Sequence, residues 1–123
     1  MEEIKKFKNK KFKIRSANEL DLENAKKFLD YINELAEDPE AYILIKEKQS
    51  LEKEKEFIQE GLKKIKAKEE VRLVVEADDL IISVVHINLK RGAEKHVGEL
   101  GVAILKKYRN IGLGTYLLKK IIK

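Results

Sequence analysis

The sequence predicts a mixed α/β (α+β) domain with a mostly antiparallel sheet, in the order β-α-α-β-β-β-α. Three observations predict it. Two runs rich in β-branched residues, VRLVVEA and LIISVVHINL, are joined only by Asp78-Asp79, the pattern of a hairpin. Two stretches with apolar residues at helical spacing come before them. A third such stretch closes the chain, after one more strand-like run, HVGELGVAIL.

In chain order, KFKIRSA alternates around Phe12 and Ile14 and reads as the first strand. Asp21 stands where a cap for the next helix is expected. Leu22, Ala25, Phe28, Leu29, Ile32 and Leu35 then give that helix an apolar stripe, and Pro39 stops it. Residues 40–48 fit neither period. Ser50 is placed to cap a second helix, with Glu52 and Glu54 in its electropositive first turn. Leu51, Phe57, Ile58, Leu62 and Ile65 form its apolar face, which Gly61 weakens. The hairpin follows, then a turn at KRGAEK, then the last strand. From Ile111 onward Leu113, Leu117, Leu118, Ile121 and Ile122 line one helical face, with Lys119, Lys120 and Lys123 opposite.

Size and composition bound the rest. A chain of 123 residues makes one domain, taken as 1–123. It is 43% hydrophobic and 40% charged, enough for one modest core under a highly charged surface. There is no cysteine, so disulfides and thiolate metal sites are excluded, and His86 and His96 alone make no zinc site. No metal is expected. No apolar run reaches the ~18 residues of a membrane helix, and MEEIKKFKNKKFK has no apolar core of a signal peptide. A cytoplasmic protein that leaves the membrane alone is the expectation. The net charge of +5 gathers in residues 4–15 and after Glu99, where lysines and Arg109 follow without any acid. Such an end suits an anionic partner or is a solvated lysine face.

The stretch YRNIGLGTYLL narrows the choice of anion. It lies between a strand and a helix start, where backbone N–H groups lack partners and the helix dipole is positive. Glycine lets a ligand approach the backbone closely. An anion there meets those N–H groups and Arg109 together, and a diphosphate fits the description. The stretch lacks G-x-x-x-x-G-K-[ST], so it is no nucleoside-triphosphate loop. It also lacks the third glycine of G-x-G-x-x-G and a following acid for a ribose, so it is no dinucleotide loop.

Arg109, Gly112 and Gly114 spell R-x-x-G-x-G. In this setting the motif resembles the acetyl-CoA-binding motif of the GNAT superfamily of N-acetyltransferases. The resemblance extends over the eighteen residues GVAILKKYRNIGLGTYLL, and IRSANELD is similar to that family's usual first strand and helix start. The resemblance implies a GNAT-like sheet with flanking helices and acetyl-CoA as acyl-donor cosubstrate. It implies that backbone groups of Val102, Ala103 and Ile104 meet the pantetheine arm and acetyl carbonyl. It further implies that Arg109, Asn110, Ile111, Gly112, Leu113, Gly114 and Thr115 wrap the diphosphate, with nearby lysines for the 3′-phosphate. The acceptor would be a primary amine, on a small molecule or a protein. It must be neutral to attack, so a base must take its proton. The family often uses a glutamate on this strand, and Glu99 is the only acid there. By alternation Glu99 shares a face with Gly101 and Ala103, opposite Val102 and Ile104. A surface carboxylate paired with Lys95 or Arg91 is the competing reading of Glu99, and His96 and His86 are alternative bases.

The resemblance also implies an omission. A full GNAT domain continues with a further strand, a helix and more strands, which supply the other cleft wall and often a tyrosine acid. This sequence stops before them, so the domain is expected to be incomplete at its C-terminus and the last strand to be an open edge. Such an edge invites a homodimer. Three readings follow: an N-acetyltransferase, a non-catalytic CoA-binding or dimerising relative, and a basic nucleic-acid-binding domain. The third is weakened by few arginines and no nucleic-acid motif. Glu34, Glu37, Asp38 and Glu40 form an acidic cluster that suits a cationic acceptor or a solvated helix end.

Overall fold

The computed structural model describes residues 2–38, 50–88 and 99–122. Five strands, β1 (Glu2–Phe7), β2 (Lys10–Ser16), β3 (Glu70–Ala77), β4 (Leu80–Asn88) and β5 (Glu99–Ile104), form one sheet in that spatial order. Every neighbouring pair is antiparallel. Four helices, α1 (Leu20–Glu23), α2 (Ala25–Glu37), α3 (Leu51–Lys66) and α4 (Leu113–Ile122), complete it, with a 3-10 turn at Lys106–Tyr108. The turn KRGAEK, His96, Glu40 and the 40–48 stretch lie outside the described residues.

The expected order holds from β2 onward, except that the first expected helix is broken at Asn24 into α1 and α2, and one strand precedes it. β1 pairs with β2 through a two-residue turn, Lys8-Asn9, whose φ values are 53° and 64°. Two left-handed residues make the turn whose twist matches a hairpin. β1 has little alternation to read because its side chains stay largely in water: Ile4 is 66% exposed, and only Phe7 turns inward among the hydrophobics. Lysines along an edge strand also discourage pairing with other chains. The expected hairpin at Asp78-Asp79 has the same geometry, with φ of 53° and 64°. A register shift between Val75 and Glu76 adds a bulge beside it.

Register places the helices on the two faces. Arg72 pairs with His86, Val74 with Val84, and Val84 with Ala103, so these share one face. Val75 pairs with Ser83 and Ser83 with Ile104, so these share the other. Gly61 of α3 sits on the Arg72 guanidinium, whereas Gly114 of α4 sits on Ile104. Helices α2 and α3 therefore cover the first face and α4 the second. Phe12, Ile14, Val75, Val85, Leu113 and Leu117 form the α4 side of the core, all essentially without solvent contact. Burying a side chain the size of Phe12 contributes about 2–3 kcal/mol. Phe12 meets Phe7 and Tyr108 edge-on, at ring-centroid distances of 5.9 and 5.7 Å. Phe7 meets Tyr116 at 5.7 Å, which clamps β1 to α4. Tyr116 also bonds Glu3, and Lys120 pairs with Glu3 at 2.8 Å.

Two expectations about helix starts divide. Ser50 caps α3 by accepting from Lys53 N at 3.2 Å. Asp21 lies inside α1, and Asn18 Oδ1 takes the Leu20 N–H instead, at 2.9 Å. Asp21 accepts from Asn18 N at 3.0 Å and chelates Arg15, with Nη2–Oδ1 at 2.8 Å. Arg15 Nε reaches Glu76 at 2.8 Å, so β2, β3 and α1 are tied together. On α3 the buried face is Glu54, Ile58 and Gly61, and Leu51 and Phe57 are 38% and 48% exposed. A methyl group at Gly61 would lie 2.6 Å from Arg72 Cζ, so the Arg72 guanidinium would have to move aside for any larger residue.

Candidate active site

β5 is an edge strand of the described sheet, and its backbone polarity follows from the ladder. Leu105 N donates to Ile82 O at 3.0 Å. Antiparallel ladders alternate bonded and non-bonded pairs, so Val84–Ala103 is the next bonded pair. Ala103 therefore turns its backbone toward β4, while Val102 and Ile104 turn theirs to the open edge. The Ala103 carbonyl is satisfied inside the protein: Tyr31 Oη donates to it at 2.6 Å and Ser83 Oγ at 2.9 Å. Tyr31 Oη also accepts from Val84 N at 3.1 Å. The phenol of α2 thus stands within the β4–β5 ladder. Burial pushes the Tyr31 phenol well above its ordinary range, Glu54 raises it further, and Val84 and Arg109 oppose.

After β5 the chain turns through Lys106–Tyr108 and enters the glycine loop. Tyr108 is buried, and its edge contact with Phe12 anchors the turn under the sheet. Arg109 folds back: its Nε donates to Ile104 O at 2.8 Å and its Nη2 pairs with Asp38 at 2.7 Å. The arginine thus braces the end of β5 against the end of α2. This leaves an incoming anion chiefly to the main chain. Asn110 has φ of 61° and Gly112 has φ of 91°, two left-handed residues that reverse the chain into α4. At Gly112 the conformation requires glycine, since a Cβ there would make only an ordinary 3.8 Å contact with Phe7. Gly114 sets α4 against the sheet, with Ile104 Cδ1 3.4 Å from the position of a Cβ.

Helix α4 makes its first backbone bond from Tyr116 N to Gly112 O, at 3.2 Å. The N–H groups of Leu113, Gly114 and Thr115 have no acceptor among the described residues, and the first turn carries no acid. These donors and the dipole fit a diphosphate. Ile111 is half-buried behind them, packed on the core. Of the residues expected to line the donor site, Val102 is 38% exposed, Asn110, Gly112 and Thr115 are exposed, Ala103, Ile104, Arg109, Ile111 and Gly114 are half-buried, and Leu113 is buried in the core.

The α2–α3 face of the sheet holds two buried polar residues that sequence reasoning missed. Tyr31 lies three residues after Phe28 and four before Leu35, on the buried stripe of α2, and that spacing was the available signal. Glu54 lies four before Ile58 and seven before Gly61, so it faces the sheet. It is 8% exposed. Burial pushes its carboxyl up to about 7, against the Arg72 charge. Glu99 opens β5 opposite Asn88, and His86 stands opposite Arg72. Glu34, Glu37 and Asp38 come together with Leu35, Leu105 and Lys106 around a cavity of about 310 Å³. Among the described residues there is no cluster that would hold a metal, and no helix is long and apolar enough to cross a membrane.

Comparison with known proteins agrees with this geometry. No curated protein matches the chain. Among solved structures, the GNAT-family acetyltransferase from Streptococcus pneumoniae is similar with a TM-score of 0.69 at 21% identity, over 89% of this chain and 63% of that one. The ribosomal-protein-alanine N-acetyltransferase from Brucella melitensis gives 0.63 at 25% identity, over 89% and 64%. The GNAT domain of the S. lividans protein PAT gives 0.73 at 13% identity, over 98% and 69%. The chain thus spans slightly under two thirds of the length of the first of these. A family model described as the acetyltransferase (GNAT) family matches residues 29–123, most of the chain. With the strand edge, glycine turn and helix end arranged as they are, this protein belongs to the GNAT acetyltransferase family.

Proposed function

We propose that the protein is an N-acyltransferase that moves an acetyl group from acetyl-CoA to a primary amine by direct attack. The single observation that carries the reading is the glycine turn. Gly112 holds a left-handed conformation at the start of α4, whose first N–H groups precede the first helical bond and whose first turn carries no acid. The diphosphate docks there, on main chain from Arg109 to Thr115. The pantetheine arm then extends along β5, where Val102 and Ile104 present backbone groups to the edge. Ala103 is the fixed inner point of that strand, held by Tyr31 and Ser83. Acetyl-CoA supplies an activated acyl carbon when bound.

The protein's own part is to position that carbon, exclude water and remove a proton from the amine. An alkyl amine is mostly protonated at neutral pH and has no lone pair to attack with. The resemblance assigns the base to Glu99 at the head of β5. The acceptor is an amine on a small molecule or a protein. The solved neighbours named for ribosomal-protein alanine and for the N-terminal serine of L7/L12 support an amine of that kind. A cytoplasmic location completes the proposal.

Calorimetric titration with acetyl-CoA tests it, with Gly112→Asp as control. The aspartate adds a side chain and a negative charge where the diphosphate docks. Binding by the parent and none by the folded variant is the expected result. A folded parent that ignores acetyl-CoA overturns the reading. Binding without turnover of any amine leaves the non-catalytic reading in its place.

A further inference from the structure

The β1–β2 hairpin lies before residue 29, where the family match begins, and its tip packs against the glycine turn. A Cβ on Gly112 would lie 3.8 Å from Phe7 Cδ1. Lys8 follows Phe7 and is exposed at the tip, with φ of 53°. Lys5 Nζ lies 5.1 Å from the centre of the Tyr116 ring, one residue after Thr115. Lys107 Nζ lies 5.8 Å from the centre of the Tyr108 ring, one residue before Arg109. Exposed lysines therefore stand on both flanks of the turn. Lys10 is also near Tyr108, at 5.7 Å, and Lys120 near Tyr116, at 5.8 Å. Only two acids stand among these lysines, and each has its own partner. Asp78 binds Lys10, and Glu3 binds Lys120 at 2.8 Å. Asp79 beside them is held by Lys27. Glu3 and Asp78 feel the Lys5 and Lys107 charges at longer range. Lys5, Lys8 and Lys107 have no ion pair among the described residues and form a surplus of positive charge. Such a surplus costs the fold through self-repulsion and draws an anion to it.

We propose that the hairpin seats the 3′-phosphate of the CoA nucleotide: Lys8 at its tip, with Lys5 and Lys107, binds that phosphate and selects free CoA thioesters over donors that lack it. The inference rests on the acyl-transfer reading above. A ligand docked by its diphosphate at the start of α4 has two arms. The glycines mark the two sides of that start, since Gly114 faces Ile104 of β5 and Gly112 faces Phe7 of β1. The pantetheine arm takes the β5 side, and the nucleotide arm is left with the hairpin side. A phosphate monoester carries about 1.5 to 2 negative charges at neutral pH, more than any other group of the ligand. Lysine suits it there, because an ammonium acts as a point charge and needs no fixed approach direction. The hairpin is thus a specificity element. A pantetheine thioester carried on a protein has no nucleotide and gains nothing from these lysines, so the donor selected is a free acyl-CoA.

Calorimetry on the intact chain tests the assignment by comparing acetyl-CoA with 3′-dephospho-acetyl-CoA. Exposed ion pairs contribute about two- to five-fold each, so the parent should prefer acetyl-CoA by about 10- to 100-fold at low salt. Salt should shrink that preference, since the pairs lie in water. Lys5→Gln, Lys8→Asn and Lys107→Gln are then combined in one variant. All three positions are exposed, and asparagine tolerates the left-handed backbone at position 8. This variant should bind both ligands alike, with the affinity that the parent has for the dephospho form. Lys63→Gln, Lys64→Gln and Lys66→Gln together remove the same charge from exposed sites on α3, across the sheet. That control should keep the parent's preference. A parent that binds both ligands equally overturns the assignment and leaves the acyl-transfer reading standing. A preference that survives in the hairpin variant overturns it too, as does one lost equally in the α3 control, which would mark a diffuse field. A parent that binds neither ligand brings down the acyl-transfer reading itself, and this assignment with it.

Discussion

The Tyr31 hydroxyl donates to the Ala103 carbonyl at 2.6 Å while accepting from Val84 N at 3.1 Å. A helix side chain thereby enters the ladder between two strands, at the pair that ladder parity marks as directly bonded. The contact fixes α2 to β5. It also leaves the two flanking residues, Val102 and Ile104, as the ones that serve the open edge. Ser83 adds a second donor to the same carbonyl, so Ala103 is held from within the sheet at a point where an edge strand would otherwise fray.

Tyr31→Phe should therefore destabilise the fold by about 1–3 kcal/mol, since it strands the Val84 N–H and removes one of two donors to Ala103. Ser83→Ala should cost less, about 1 kcal/mol, because Tyr31 still serves that carbonyl. Urea unfolding at constant m-value measures both. Equal, negligible losses for the two variants would show that the phenol is a spectator in the ladder.

Gly112 and Gly114 should respond in opposite ways to alanine. Gly112→Ala forces a Cβ onto a φ of 91° and should cost about 1–2 kcal/mol. Gly114→Ala lies within α4, where its methyl meets only Ile104 Cδ1 at 3.4 Å, and alanine is worth up to about 1 kcal/mol more than glycine in a helix. Its net change should be small or stabilising. Acetyl-CoA affinity should fall in Gly112→Ala, where the turn must change shape, and stay near the parent's in Gly114→Ala, whose methyl points at Ile104. Thermal unfolding and calorimetry separate the two effects, and a Gly112→Ala variant as stable as the parent would refute the strain argument.

The same glycines explain what was legible beforehand. The turn is local: its residue types and its place between strand and helix are visible in eleven letters, and the structure has a left-handed Gly112 between β5 and α4. The hairpin at Asp78-Asp79 was legible for the same reason. β1 was not, because Lys8-Asn9 is a weak turn pair and only Phe7 among its side chains reaches the core against α4. The direction of Arg109 was not either. Nothing in the sequence says that its guanidinium returns to Ile104 and Asp38, residues that only folding brings together. Glu54 shows the deeper limit. Local rules place a glutamate in the first turn of a helix to meet the dipole, and they fit it well. That it faces the sheet follows only from Gly61 lying over Arg72, a contact between α3 and β3.

Asp21→Asn tests the other buried charge cluster. Arg15 and Asp21 have side chains only 11% and 3% exposed, and Glu76 completes the group. Removing the Asp21 charge leaves a buried guanidinium with one partner, and such losses run to 3–5 kcal/mol where no partner remains. With Glu76 still in place, a loss of about 2–3 kcal/mol is expected. Arg15→Met should be milder than Asp21→Asn if desolvation, and not lost attraction, dominates the difference. Denaturant unfolding of both variants decides between them.

The pH dependence of stability isolates Glu54. Its carboxyl is pushed up to about 7 in the fold, chiefly by burial, from an ordinary value of 4.5. Between those values the folded protein holds a proton that the unfolded chain has released. The folded state therefore binds more protons there, and stability must fall as pH rises through the window. Below about 4.5 both states carry the proton and no penalty exists, and above about 7 the penalty is complete. A shift of this size, discounted for the partial solvent access of the group, amounts to about 1–3 kcal/mol. Glu54→Gln cannot ionise, so it should match the parent near pH 4 and exceed its stability by that amount at pH 8. Other carboxylates titrate in the same range, and the difference between parent and variant cancels them. Urea unfolding of the pair at pH 4, 5, 6, 7 and 8 gives that difference directly. A gap that opens steadily from pH 5 to 7 and then levels marks a carboxylate kept at a cost to the fold. A flat difference would mean that Glu54 ionises as easily inside the protein as outside it.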